Sequence, residues 1–169
     1  RKAHRMTSST SEEAEPARRR RVTSQIKESL RALSIQLSLL NHQVGAHAGL
    51  KDVDLSCLDI INRYGPISPT ALARRAGLHP ATMTGILDRL QRGGWVTRER
   101  DPEASDRRAV MVRALKDRNA ELFELYGGMS SKMDEICGRY TDAELDLLAD
   151  FLRRTTEAGQ DATGDLARR

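Results

Sequence analysis

The sequence has 169 residues, a length that suits one domain with tails. Hydrophobic residues make up 38% and aromatic residues only 4%, so the chain can bury a modest core built mainly from aliphatic side chains. No apolar run approaches the roughly 18 residues of a membrane-spanning helix, and the first residues resemble no secretory signal, so we expect a cytoplasmic protein without a membrane partner.

The distribution of charge is more informative than the net charge of +4. Residues 65–116 contain ten basic and five acidic residues, an excess of +5 that is larger than the excess of the whole chain. Basic charge concentrated in one segment suggests a polyanionic partner. From charge alone, a solvated surface is an equally good interpretation.

Residues 1–21 are polar, show no hydrophobic periodicity and include four consecutive arginines, which predicts a disordered basic tail. Residues 22–50 are predicted to form an N-terminal helix, because apolar residues recur there in steps of three and four. This spacing places the apolar residues in a narrow strip along the helix. Such a strip favours packing against a partner helix, either in the same chain or in a second copy. The residues assigned to dimerisation here are Ile26, Leu30, Leu33 and Leu37.

Residues 51–116 are predicted to form a helix-turn-helix followed by a ribbon. A first helix, capped by Asp52 or Asp54, is expected to end at Tyr64. Two short helices follow, because Ser68-Pro69 and His79-Pro80 each place a capping residue before a proline, and a turn containing Gly77 separates the two helices.

Gly93-Gly94 ends the second short helix, and two strand-like runs follow, Trp95–Arg100 and Ala109–Arg113. A helix followed by a two-stranded ribbon with a basic tip predicts a winged helix-turn-helix. The predicted fold class is therefore mainly α with a small β-ribbon wing, flanked by long dimerisation helices.

Residues 117–156 are predicted to contain the C-terminal dimerisation helices, with Gly127-Gly128 weakening the first of them. Thr141 and Glu144 form the sequence pattern of a capping box at the start of the last helix. Residues 157–169 are polar and predicted to be disordered. The dimerisation residues assigned here are Leu145, Leu148, Phe151 and Leu152.

The second short helix carries the chemistry expected of a DNA-reading helix. Short hydroxyls at Thr82 and Thr84 can contact a base edge or a phosphate, and Ala81 and the threonine methyls can meet a thymine methyl. For Thr84, hydrogen bonding back to its own helix is the alternative. Basic and helix-terminal residues nearby are expected to contact phosphates. The DNA contacts predicted from this module are Ser68, Thr70, Arg74, Arg75, Pro80, Ala81, Thr82, Thr84 and Arg89, where Arg89 is either a phosphate contact or the partner of Asp106.

The order of the elements and several motifs resemble the multiple-antibiotic-resistance-regulator (MarR) family, over roughly residues 22–156. The motifs are Gly65-Pro66-Ile67-Ser68, Leu72-Ala73-Arg74-Arg75-Ala76-Gly77-Leu78, Thr82-Met83-Thr84, Leu87-Asp88-Arg89-Leu90, Gly94-Trp95-Val96, Arg98, Asp101-Pro102 and Asp106-Arg107-Arg108-Ala109. The resemblance implies a homodimer that binds a pseudo-palindromic operator in double-stranded DNA. It also implies a repressor that releases DNA on binding a small aromatic or phenolic effector.

Within the wing, the resemblance assigns the DNA contact to Arg108, with Arg107 next, and gives Asp106 the role of holding an arginine in place. The chain departs from the family at two points. Many members carry an arginine at the position of Gly85, so one expected groove contact is missing. The chain also has three residues between Pro102 and Asp106, where one is common, which lengthens the wing tip.

In the family the effector often binds between the dimer helices and the reading module. The polar candidates for such a site are Asn41, His42, His47 and Tyr64, each of which also fits an ordinary structural role. Cys57 and Cys137 have neither metal-ligand spacing nor a disulfide pattern. A redox-sensing regulator that uses one of these cysteines is an alternative interpretation.

Two other classes of function compete with DNA binding. A winged-helix module for protein contacts is the first, but paired arginines in the wing favour DNA. An enzyme is the weaker one, because the sequence contains no metal-ligand cluster, no phosphate-binding glycine loop and no nucleophile–base set. We therefore expect no catalytic residues, no metal and no cofactor.

Overall fold

The structure is a computed structural model that describes residues 9–100, 103, 105 and 109–169, with side chains from residue 14 onward. The described part is mainly helical with one antiparallel pair of strands, which confirms the predicted fold class. In chain order the elements are α1 (Ser9–Ala48), α2 (Asp52–Tyr64), α3 (Pro69–Ala76), α4 (Pro80–Arg92), β1 (Val96–Arg100), β2 (Val110–Ala114), α5 (Lys116–Glu124), α6 (Gly127–Cys137) and α7 (Asp142–Ala167).

The chain forms two compact units, Arg1–Gln43 and Val44–Arg169. In its described part, the first unit is helical and most of its side chains are exposed. The second unit contains the hydrophobic core, in which α2, α3, α4, the ribbon and α5 bury mainly aliphatic side chains. The largest fully buried apolar side chains are Leu55, Leu58, Ile61, Leu72, Met83, Ile86, Leu87, Leu90, Val96, Val112 and Leu122.

The ribbon is a two-stranded antiparallel sheet in which Val96 pairs with Ala114 and Arg100 pairs with Val110. Each strand begins one residue later than predicted. Ile67, just before α3, adds an isolated bridge by exchanging two backbone hydrogen bonds with Val112, at 3.0 and 2.8 Å. This bridge attaches the ribbon to the start of the helix-turn-helix.

The start of α2 differs from the prediction that Asp52 or Asp54 caps it. Lys51 is the N-cap residue, and its side chain makes no capping hydrogen bond. Asp54 is instead 2% exposed, on the same face of α2 as Leu58 and Ile61. A carboxylate is rarely buried unless it is paired, so its position requires a cationic partner.

The predicted disorder of both tails is wrong where the structure describes them, because α1 begins at Ser9 and α7 continues to Ala167. Both extensions are polar, so they lack the hydrophobic periodicity on which the prediction relied. The α1 extension, residues 9–21, contains four Arg and three Glu, which favour helix without packing. The α7 extension, residues 157–167, contains two Gly and two Asp and continues a helix that has already formed. In α7, Arg153 also pairs with Glu157 one turn away, at 2.8 Å.

The helix predicted to follow the ribbon is divided into α5 and α6. The division falls at Leu125 and Tyr126, just before the two glycines, and α6 begins at Gly127. The predicted capping box of α7 is confirmed, with Thr141 and Glu144 each bonding the other's backbone N–H. Among the described residues, no helix is both long and apolar enough to cross a membrane.

Candidate nucleic-acid interface

The turn between α3 and α4 is fixed by local hydrogen bonds that the sequence predicts. The Ser68 hydroxyl accepts a hydrogen bond from the backbone N–H of Ala71 at 3.1 Å, which caps α3. Gly77 adopts a left-handed conformation with φ of 66°, and the N–H of Leu78 donates to the carbonyl of Ala73 at 2.9 Å. Such a turn ends α3 abruptly and directs α4 away from it.

Helix α4 divides into a buried face and an exposed face. Met83, Ile86, Leu87 and Leu90 are buried against the core. The predicted base-reading residues are exposed near the start of α4. They are Pro80, Ala81, Thr82 and Thr84. The structure therefore brings these four side chains together on one accessible surface. Their contact with DNA stays a prediction.

His79 caps α4 through its imidazole ring. Its Nδ1 accepts a hydrogen bond from the backbone N–H of Ala81 at 3.1 Å. An Nδ1 that accepts leaves the proton of the neutral ring on Nε2, which is then a donor. His79 is exposed at the same end of α4 as Thr82, so the site gains a donor that sequence reasoning treated only as a cap.

Arg89, whose side chain is 36% exposed, pairs with Asp54; the predicted partner, Asp106, lies outside the described residues. The Nε and Nη2 of Arg89 donate to the two carboxylate oxygens of Asp54 at 2.8 and 2.9 Å. This bidentate pair joins α4 to the start of α2 and explains the burial of the carboxylate. Hydrogen bonding to Asp54 also raises the pKa of Arg89. The predicted contact of Arg89 with a phosphate stays a prediction.

The stem of the wing is tied to α4 by Arg98. Its guanidinium donates to Gln91 and to Asp88, both at 2.6 Å. Across the ribbon, Arg113 donates to Glu99 at 2.7 Å, and this hydrogen bond lowers the pKa of Glu99. These contacts orient the ribbon relative to α4. Three predicted wing residues, Asp106, Arg107 and Arg108, lie outside the described residues.

A buried amide fixes the base of the wing, and sequence reasoning missed it. Asn119 of α5 is 1% exposed and donates to the carbonyls of Trp95 and Leu115, at 2.9 and 2.7 Å. Its carbonyl accepts from the Asn62 amide at 2.8 Å. The network links α2, α5 and the strand that enters the wing. The only sequence signal was a polar residue three positions before the apolar Leu122.

The predicted phosphate contacts on α3 differ in their surroundings. Thr70 and Arg74 are exposed. Arg75 is also exposed, but its guanidinium stacks over the ring of Tyr64, 3.7 Å from the ring centre. This cation–π contact joins a predicted DNA residue to a predicted effector residue. Tyr64 thus orients Arg75, and the contact of Arg75 with a phosphate stays a prediction.

An open groove of about 980 Å³ borders this contact. It is lined by residues of α2, α3, α5 and α7, among them Tyr64, Arg74, Arg75, Phe123 and Thr163. Of the other three predicted effector residues, Asn41 and His42 belong to the first unit, and His47 is not among the side chains that line the groove. The four candidates therefore do not converge on one site in the second unit.

The two cysteines differ in accessibility. Cys57 is fully buried, and burial, reinforced by the negative charge of Asp54, raises its pKa to about 11. A thiol with so high a pKa forms little thiolate at neutral pH, so it reacts slowly with oxidants. Cys137 of α6 is partly exposed, and both thiols are free. Within the described part of the chain, no cluster of three or more His, Cys, Asp or Glu could hold a metal ion.

Comparison with known proteins agrees with this architecture. The MarR family model matches residues 50–110. An HTH-type transcriptional regulator of Bacillus subtilis (strain 168), YcgE, is 34% identical over 121 residues, covering 71% of this chain and 77% of that protein. The HTH-type transcriptional repressor YetL of the same strain is 35% identical over 86 residues, covering 51% of this chain and 50% of its own.

The fold is also that of solved relatives. A MarR family protein from Bacillus stearothermophilus superposes with a TM-score of 0.63 at 19% identity, covering 82% of this chain and 96% of that one. The winged helix-turn-helix geometry, the ordered motifs of the reading module and these likenesses agree with one another. The chain belongs to the MarR family of transcriptional regulators.

Proposed function

We propose that the protein is a ligand-responsive repressor that binds a pseudo-palindromic operator as a homodimer. The observation that carries this proposal is the exposed reading surface of α4, held between a capped turn and a wing stem fixed by Arg98. A helix presented in this way fits a major groove, while a wing can reach the neighbouring backbone. The name of YetL, a transcriptional repressor, supports the direction of regulation.

A second copy would cover apolar surface that the single chain leaves exposed. In α1, Ile26, Leu33 and Leu37 are 41, 42 and 39% exposed. The apolar face of α7 is similarly accessible, with Leu148, Phe151 and Leu152 at 40, 37 and 48%. Apolar side chains repeated along two long helices are typical of a subunit interface rather than of a solvent-facing surface.

The net charges of the two helices favour their association. From residue 14 to its end, α1 has six Arg or Lys and two Glu, an excess of +4. Helix α7 has seven acidic residues and two arginines, an excess of −5. Two apolar faces on oppositely charged helices are complementary. We therefore assign the dimer seams to α1 and α7, as the sequence predicted.

For the effector we propose a small aromatic acid bound in the groove beside Tyr64. The groove combines two aromatic rings, Tyr64 and Phe123, with the guanidinium groups of Arg74 and Arg75. Rings favour an aromatic ligand, and arginines favour a carboxylate. Because Arg74 is also a predicted phosphate contact, a bound acid would compete with DNA for it. Titration of the protein–DNA complex with 4-hydroxybenzoate, with benzyl alcohol as an uncharged control, tests this coupling.

DNA binding itself is tested by a mobility-shift assay with the DNA upstream of the protein's own gene, with and without competitor DNA. We expect Arg108→Ala to weaken binding to all sequences, and Thr82→Ala to change base preference. Matched controls are Arg154→Ala and Thr23→Ala, which alter exposed residues of α7 and α1. If each half of the dimer contacts about four phosphates, the log–log salt slope is about −7. Wild-type affinity in both Arg108→Ala and Thr82→Ala would refute the assignment of α4 and the wing to DNA.

A further inference from the structure

The exposed surface of α4 is uncharged over its first two turns. Pro80, Ala81, Thr82 and Thr84 are exposed and Gly85 is partly exposed, whereas Met83, which lies between them, is buried. No exposed side chain in this set is longer than threonine. The part of α4 that can enter a groove therefore presents methyl groups, two hydroxyls and bare backbone.

The longer polar side chains of α4 are engaged within the protein. Arg89 makes its bidentate pair with Asp54. The carboxylate of Asp88 and the side-chain amide oxygen of Gln91 both accept hydrogen bonds from Arg98. Arg92 lies at the other end of the helix, about 18 Å from Pro80 at 1.5 Å per residue. Asp88, Gln91 and Arg92 lie beyond the first two turns. The Arg89 guanidinium, whose Nη1 lies beside Gly85, is already engaged by Asp54.

This composition determines which base edges α4 can distinguish. Guanine is usually read by a bidentate Arg or Lys, and adenine by a bidentate Asn or Gln. The first two turns of α4 offer neither. Thymine, in contrast, presents a C5 methyl group in the major groove, which is read by apolar contact with Ala, Thr methyl or similar groups. Ala81, Thr82 and Thr84 supply groups of that kind.

Gly85 has no structural reason to be glycine. Its φ is not in the left-handed region, and a Cβ at this position would meet only Arg89 Nη1, at an ordinary contact distance of 3.6 Å. Glycine in the middle of a helix destabilises it relative to alanine. The protein thus tolerates a destabilising residue on the reading surface where its own packing would accept a larger one. Close approach of a base pair to the helix backbone explains that choice.

From this surface we infer that α4 selects thymine in the operator half-site, through methyl contacts to Ala81, Thr82 and Thr84 made possible by Gly85. The inference rests on the proposed DNA binding and names the base that α4 prefers. Arginines on other elements contribute affinity through phosphates, which are the same in every sequence. Discrimination between bases then depends on the short side chains of α4.

The test replaces thymine by deoxyuridine, which lacks only the C5 methyl group. A duplex bound by the full chain is first selected from random DNA, and its half-site thymines are then substituted one at a time. We expect affinity to fall about fourfold for each contacted methyl. This factor corresponds to the roughly 0.8 kcal/mol that burial of one such group contributes. Deoxyuridine outside the half-sites is the control and leaves affinity unchanged.

A double-mutant cycle identifies which threonine of α4 contacts each thymine methyl. Thr82→Ser and Thr84→Ser remove one methyl each and keep the hydroxyl, and both residues are exposed, so folding is preserved. We expect each variant to bind the thymine duplex more weakly than wild type does. On the duplex that lacks the corresponding methyl, variant and wild type should bind equally well. Thr23→Ser on α1 is the matched control. Gly85→Ala should raise the thermal unfolding midpoint yet lower specific affinity about tenfold, a split that a purely structural role would not produce.

The outcomes separate the inference from the proposed function. Specific binding that is equally tight to the thymine and deoxyuridine duplexes refutes thymine selection and leaves DNA binding intact. Gly85→Ala with wild-type affinity refutes close approach at that residue and, with it, the inference in this form. A chain that selects no sequence at all refutes the proposed function, and the inference falls with it.

Discussion

Breaking the Asp54–Arg89 pair should destabilise the protein by an amount that depends on which partner is removed. The Asp54 side chain is 3% exposed and the Arg89 side chain is 36% exposed. After Arg89→Met the buried carboxylate has lost its partner, which typically costs about 3–5 kcal/mol. After Asp54→Asn the partly exposed guanidinium can still reach water and one acceptor remains, so the loss is about 2 kcal/mol, close to that of one charge-assisted hydrogen bond.

Urea unfolding followed by circular dichroism measures these differences, at one fixed protomer concentration because dimerisation contributes to stability. The double variant Asp54→Leu with Arg89→Met removes both charges and should lie within about 1 kcal/mol of wild type. The control is Glu121→Gln, which breaks the exposed pair with Arg118 and should cost less than about 0.5 kcal/mol. A smaller loss for Arg89→Met than for Asp54→Asn would refute the argument that burial of the carboxylate determines the cost.

Three further predictions concern capping, the turn and the buried thiol. Ser68→Ala should lower the free energy of unfolding by about 1 kcal/mol, because it removes the hydroxyl that caps α3; chemical denaturation measures it, and an unchanged midpoint would contradict the cap. Gly77→Ala should cost about 1–2 kcal/mol, because it forces a Cβ into the left-handed region, whereas Gly127→Ala, which meets open space at a helix start, should not. Cys57, with its pKa raised from 9.0 to about 11, should resist alkylation at pH 8 in the native protein but not in urea, as followed by mass spectrometry. Rapid alkylation of the native protein would contradict the burial. Because the thiol ionises at lower pH in the unfolded chain than in the folded one, the free energy of unfolding should also fall between about pH 9 and pH 11 in wild type relative to Cys57→Ser.

The elements that sequence alone predicts are those specified by neighbouring residues. Ser68-Pro69, His79-Pro80 and the pair Thr141 and Glu144 each start a helix through contacts within four residues, and all three starts are confirmed. The turn at Gly77 belongs to the same class. Local hydrogen bonds of this kind leave a direct pattern in the sequence.

The parts that sequence did not predict depend on contacts between distant residues or on helices without a core. Asp54 and Arg89 are 35 positions apart, so nothing near Arg89 identified its partner. The partly buried hydrogen bond between Asn62 and Asn119 spans 57 positions. The helical spacing of Asp54, Leu58 and Ile61 does place the carboxylate on the buried face of α2. The polar ends of α1 and α7 had no such signal, since neither shows the hydrophobic periodicity from which a helix is predicted.

The sequence predicted which residues of the site are exposed, but not the contacts that these residues make within the protein. The four exposed residues at the start of α4 lie where the pattern of apolar residues placed them, because the buried face of a helix determines its exposed face. The engagement of Arg75 with Tyr64 could not be foreseen, since it joins the end of α2 to α3. Both cases show that a helical pattern identifies which residues are accessible, but not which of them already have partners.

Hydroxyl-radical footprinting of the wild-type chain on the DNA upstream of its own gene tests the central claim most directly. Two reading helices held by one dimer should protect two segments on the same face of the duplex, with centres one helical turn or about 34 Å apart. Both segments should become protected together as the protein is titrated. A single protected segment, or two that fill independently, would contradict a dimer that reads successive turns of DNA.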